Sequence, residues 1–137
     1  MSIFIIMSAV ALTFCALLGL GSLFAPKWAA GVVRLVPDPD PAKPGGFSEF
    51  RATYGGLLFF IHITALVILL RVGGPVAMIA LMPVAAGWFG AGIGRTFSLL
   101  MDARENRELG MIPIWIPVEL ALGLAIASPV LQIGAIA

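Results

Sequence analysis

A few residues in this sequence have the chemistry for a functional site, and all of them sit in or beside long apolar runs. Arg51, Arg95 and Glu119 carry charge there, with Glu49, Tyr54 and Asp102 close by in sequence, and His62 is the one histidine. A guanidinium next to a carboxylate suits two roles. It can recognise an anionic headgroup or small acid, or it can fix the register of packed helices. An imidazole at depth can relay protons or ligate haem, but a bis-histidine site needs a second histidine that the chain lacks. A proton relay would need another deep titratable group beside it, so the simpler role for His62 is a hydrogen bond to a neighbouring helix or a backbone carbonyl. Cys15 is the one cysteine, which rules out an internal disulfide and any Cys-x-x-Cys redox or zinc site. Its place among small residues points to packing rather than nucleophilic chemistry. No metal or cofactor site is expected.

The composition explains why these charges matter. Of 137 residues, 61% are hydrophobic and 11% charged, with a mean hydropathy of +1.09. A soluble domain needs about a quarter of its residues charged, so much of this surface must face something other than water. The net charge of +1 gives no basic face for phosphate backbones, which argues against nucleic acid. The length leaves room for one transmembrane domain over 1–137 and no separate soluble module.

Four apolar runs are long enough to cross a bilayer as helices. The first, Ile3 to Ala25, has no charge; its residues Ser8, Ala11, Cys15, Gly19 and Ser22 fall three or four apart and form a small-residue stripe. The run lacks a basic start and a small-residue cleavage site, so it reads as a retained span rather than a signal peptide. Pro26 to Ser48 follows. Its first part, from Lys27 to Val36, reads as an interfacial helix with Trp28 at headgroup depth. Its second part, Pro37 to Gly46, is too proline-rich for helix and reads as a stiff solvated connector rather than a partner-docking or lipid-binding segment. The second span runs from Phe50 to Leu70, with Ser48 as the expected N-cap. The third runs from Pro75 to about Leu100, with a kink expected at Pro83 and backbone-close packing at Gly90 and Gly94. The fourth runs from Pro113 to about Ile136. The expected fold is all-α, an up-down-up-down four-helix bundle in a membrane with a short interfacial helix after the first span.

Seven of the eight lysines and arginines flank the first and third connections, and Arg71 alone flanks the second. The first and third connections are therefore expected in the cytoplasm and both chain ends outside. This orientation gathers Glu49, Arg51, Arg95 and Glu119 in one leaflet, with Glu119 roughly 9 Å into its helix. A carboxylate in hydrocarbon needs a partner, so Glu119 is expected to pair with Arg51 or Arg95. Asp102 falls on the face of Arg95 if that helix continues. Arg51, Gly55, Leu58 and His62 are expected to share a stripe, with Gly55 and Gly56 admitting a neighbouring helix.

The order and spacing of Glu49-x-Arg51-Ala52-x-Tyr54-Gly55-Gly56, Gly94-Arg95-x-x-Ser98-x-x-x-Asp102 and Glu119 resemble a family of small four-span bacterial inner-membrane proteins known only as a domain of unknown function. The resemblance implies that these residues matter together, and it supplies no activity, substrate or cofactor. Two readings of function follow. One is a non-enzymatic accessory or scaffold component, with membrane lipids around it and a homo-oligomer or larger membrane complex as its setting. The other is a protein that binds a lipid or small anion through Arg51, Arg95 and Glu119, as an enzyme or transporter at the furthest. A transporter of four spans would need a second copy to enclose a path, and no internal repeat or broken helix pair is present.

Overall fold

The computed structural model describes residues 1–34, 40, 42, 47–102 and 112–135. Among them all regular structure is helical, as the composition requires of backbone in hydrocarbon. We label the helices α1 (Ile3–Phe24), α2 (Pro26–Val33), α3 (Ser48–Arg71), α4 (Gly74–Met101) and α5 (Ile112–Ala127). A 3₁₀ segment, Ser128–Ala135, continues α5. Four helical segments, namely α1, α3, α4 and α5 with its continuation to Gln132, are long and apolar enough to cross a membrane, which makes the chain a multi-pass membrane protein. Large side chains such as Phe60, Ile79, Phe97 and Leu124 are exposed along them, as a lipid-facing surface requires.

Boundaries differ from expectation where local chemistry intervenes. Ser48 lies inside the first turn of α3 and caps nothing; Phe47 holds the capping position. Glu49 occupies that first turn, where a carboxylate suits the helix dipole. The expected interfacial helix stops at Val33 because Arg34 adopts a left-handed conformation, φ 56°. The helix α4 starts at Gly74, one residue before Pro75, and runs through Pro83 without a break. The fourth span leaves α geometry at Ser128, just before Pro129, which has no amide hydrogen to donate. Most of the proline-rich connector and most of the polar connection after Asp102 lie outside the described residues.

The chain forms two compact units, one comprising Met1–Ala11 with Ile68–Ala137 and the other Leu12–Val67. In the first, α4 and α5 pack along their lengths. A methyl group built on Gly92 would come 3.0 Å from the Leu120 side chain, and one on Gly123 would come 2.9 Å from the Phe89 ring. The start of α1 joins this unit by polar contacts at depth. Ser8 Oγ donates to the Ile126 carbonyl at 3.1 Å, and Ser128 Oγ donates to the Phe4 carbonyl at 3.0 Å. Gln132 Nε2 donates to Ser2 Oγ at 2.5 Å. Interhelical hydrogen bonds of this kind are worth about 0.6 kcal/mol each in membranes. Ser8→Ala, at a fully buried position, is therefore expected to cost about 0.6–1 kcal/mol, read as a small fall in thermal midpoint in detergent.

In the second unit, α1 and α3 meet backbone to backbone. A methyl group on Gly19 would fall 2.5 Å from the Phe59 nitrogen, and one on Gly55 would fall 2.9 Å from the Leu23 Cα. The short helix α2 folds back so that the Trp28 ring lies over Gly21. Its buried Ala29 and Ala30 then pack with Phe50, with Val33 and Phe47 alongside. The small-residue stripe of α1 is buried at all five positions, Ser8, Ala11, Cys15, Gly19 and Ser22.

Candidate functional site

The site with the strongest chemistry is built by two helices of the first unit. The α4 turn at Arg95 faces the α5 turn at Glu119, and Gly92 on α4 lets Leu120 of α5 approach within contact. This close approach brings Arg95 Nε to 2.7 Å from Glu119 Oε1, a charge-assisted hydrogen bond. Of the two arginines named as candidate partners for Glu119, Arg95 is the one that pairs with it.

The pair is lopsided. The Glu119 side chain is 5% exposed and that of Arg95 is 32% exposed, so the site opens on the arginine side. The contact uses a single N–H of the five that a guanidinium offers, whereas a fork-to-fork pairing would engage both carboxylate oxygens. Glu119 Oε2 is buried and has no hydrogen-bond partner among the described residues. A buried carboxylate oxygen left without a partner costs about 1–3 kcal/mol.

Asp102 does not join this pair in the structure. It ends α4 in an extended conformation, φ −77° and ψ 143°, and its Oδ2 accepts from Ser98 Oγ at 2.6 Å. Thr96 turns its hydroxyl to the Gly92 carbonyl at 2.8 Å, so it too is satisfied within α4.

The other charged motif belongs to the second unit and has a different geometry. Residues Arg51–Leu57 wind as a π-helix inside α3, a local form that collects at functional sites. Gly55 and Gly56 weaken α propensity in this turn by about 1 kcal/mol each. Arg51 is exposed, and its Nη1 donates to the Leu23 carbonyl at the end of α1, where helical carbonyls lack partners. Tyr54 stacks on Phe50 with ring centroids 4.8 Å apart and planes 18° apart.

The π winding corrects the expected stripe. Counting at α spacing puts Arg51 above His62, but one inserted residue turns the register by about 100°. Arg51 is accordingly exposed while Gly55 and His62 are buried. The Nδ1 of His62 donates to the Leu58 carbonyl at 2.6 Å, one turn back on its own helix. The expected backbone carbonyl is there, on α3 itself.

The glycine expectations divide. Gly55 makes the close approach predicted for it. A methyl on Gly56 would meet only the Arg51 carbonyl, at 3.8 Å, and one on Gly90 or Gly94 would meet nothing within 4 Å among the described residues. The packing glycines of α4 and α5 are instead Gly92 and Gly123. Alternation along the helix separates Gly92 from Gly90 and Gly94 by about 160–200°, so the motif points away from α5. Among the described residues no group of three His, Cys, Asp or Glu side chains could hold a metal ion.

A family model described as Domain of unknown function (DUF4345) matches residues 3–128, from the start of α1 through the end of α5. No curated protein and no solved structure matches the chain.

Proposed function

The chain belongs to this family of unknown function, and we propose that it is a non-enzymatic membrane protein that binds a lipid headgroup or small anion at the Arg95–Glu119 pair. The observation that carries this reading is the half-made ion pair. An arginine–glutamate contact that served packing alone would gain by closing both oxygens, because a half-satisfied buried network is costly. Here Oε2 is buried without a partner among the described residues, and the arginine is partly exposed. The test is to purify the protein in mild detergent and to measure co-purified lipid and small anions by mass spectrometry. Wild type is expected to retain a ligand that Arg95→Gln loses by about tenfold, the weight of one charge-assisted contact. Equal retention by the two proteins would remove the proposal.

A second reading, an accessory component packed against a partner helix or a second copy, draws on one observation. Gly87, Gly90 and Gly94 of α4 are exposed, with nothing among the described residues within 4 Å of where a methyl would stand. Bare backbone of this kind suits close helix contact in lipid. Gly90→Leu is expected to leave a complex smaller in sedimentation if this face is in use, and unchanged sedimentation would exclude it.

The lysine and arginine asymmetry supports an orientation with both chain ends outside, which in the bacterial inner membrane suggested by the family resemblance is the periplasm. A phosphatase reporter fused at the C-terminus is expected to be active, as only a periplasmic end allows; an inactive fusion with an active one at the α3–α4 turn would reverse the orientation.

A further inference from the structure

The unpartnered oxygen says more about the ligand than the arginine does. A guanidinium alone would select any anion. Glu119 Oε2, buried with no partner among the described residues, asks in addition for a hydrogen-bond donor. Arg95 and Glu119 together carry no net charge, and a ligand drawn into a low-dielectric site is favoured when the whole remains neutral. A simple anion would satisfy Arg95 and leave Oε2 facing a second negative charge. A simple amine would satisfy Oε2 and add uncompensated positive charge beside a guanidinium.

From this juxtaposition we infer that the site takes a zwitterion, with a primary ammonium donating to Glu119 Oε2 and a phosphate or carboxylate accepting from Arg95. The four charges then alternate, Arg95, ligand anion, ligand ammonium, Glu119, and every contact is attractive. Ligand entry is from the arginine side, where the pair is 32% exposed against 5% at the carboxylate. The ammonium must carry N–H groups, because a quaternary amine keeps the charge but has no proton to give. Such chemistry is offered by an aminophospholipid headgroup and by a free phosphoethanolamine or amino-acid zwitterion. The inference rests on the ligand reading proposed above.

The test uses the full chain in detergent and native mass spectrometry with three phospholipids of identical acyl chains. Phosphatidylethanolamine offers both groups, phosphatidylcholine replaces the N–H groups by methyls, and phosphatidylglycerol offers the anion with hydroxyls. A fourth arm offers glycerophosphoethanolamine, the same headgroup without tails. Phosphatidylethanolamine is expected to be retained about tenfold better than phosphatidylcholine, the weight of one charge-assisted hydrogen bond. It is also expected to outlast phosphatidylglycerol, and Glu119→Gln is expected to erase the preference over phosphatidylcholine. The three lipids compared on wild type keep the test decisive even where Glu119→Gln does not fold. Competition by glycerophosphoethanolamine assigns the headgroup alone as sufficient, and its failure to compete assigns the intact lipid; both support the inference. Equal retention of all three lipids, sensitive to Arg95→Gln, overturns the zwitterion while leaving the anion site standing. Retention that is insensitive to both substitutions overturns both.

Discussion

Arg95→Ala is expected to destabilise the protein by about 3 kcal/mol, and Glu119→Leu added to it to recover most of the loss. Removing the arginine strands a carboxylate that is 5% exposed, and an uncompensated buried charge costs more than the intact pair contributes. The figure sits at the low end of the usual 3–5 kcal/mol because Arg95 itself is a third exposed. The double variant Arg95→Ala with Glu119→Leu leaves no charge to strand, and buried pairs exchanged for apolar side chains are often neutral or better. The chain carries its own reporter, since Cys15 is the one cysteine and is fully buried. A thiol-reactive dye that fluoresces on reaching Cys15 follows unfolding in detergent. A double-mutant cycle on Arg95 and Glu119 is expected to return a coupling of about 2 kcal/mol. A coupling near zero would mean that the two side chains do not meet.

The second large effect is steric. Gly19→Val is expected to cost about 3 kcal/mol, and Gly19→Ala about 2 kcal/mol, because the first added carbon already falls 2.5 Å from the Phe59 nitrogen and 2.8 Å from its Cα. Those are backbone atoms, so no rotamer change relieves the clash and the two helices must part. Separation of α1 from α3 also pulls the Leu23 carbonyl away from Arg51. Gly94→Ala, in open space on the same class of helix, is expected to be neutral or to stabilise by about 0.5 kcal/mol through helix propensity. The contrast between the two alanine variants, measured by the same Cys15 assay, is the check. Equal effects at Gly19 and Gly94 would contradict the backbone contact.

Much of the architecture is legible in the sequence. Hydropathy and length located all four spans, since a segment in hydrocarbon must satisfy its own backbone and so must be helical. The α1 stripe from Ser8 to Ser22 was readable from spacing, and all five residues are buried, because small side chains are the ones that let helices approach in lipid. A buried carboxylate in such a chain had to find an arginine, and Glu119 did. Spacing also misled. A glycine pair four apart marks a face without saying which neighbour lies there, so Gly90 and Gly94 drew attention while Gly92 made the contact.

What the sequence by itself determined, then, is the membrane class, the number of spans and the kinds of residue that would need partners, because these follow from transfer energies of individual segments. Only the tertiary structure decided which arginine meets Glu119, which glycines touch backbone and where α3 changes its winding. Those outcomes depend on helix rotation, and a turn of about 100° per residue moves a side chain from one neighbour to another at almost no cost in hydropathy. The unpartnered state of Glu119 Oε2 is of this kind. Composition required a partner for the carboxylate, and the rotation of α4 against α5 set that partner on one oxygen and left the other without one among the described residues.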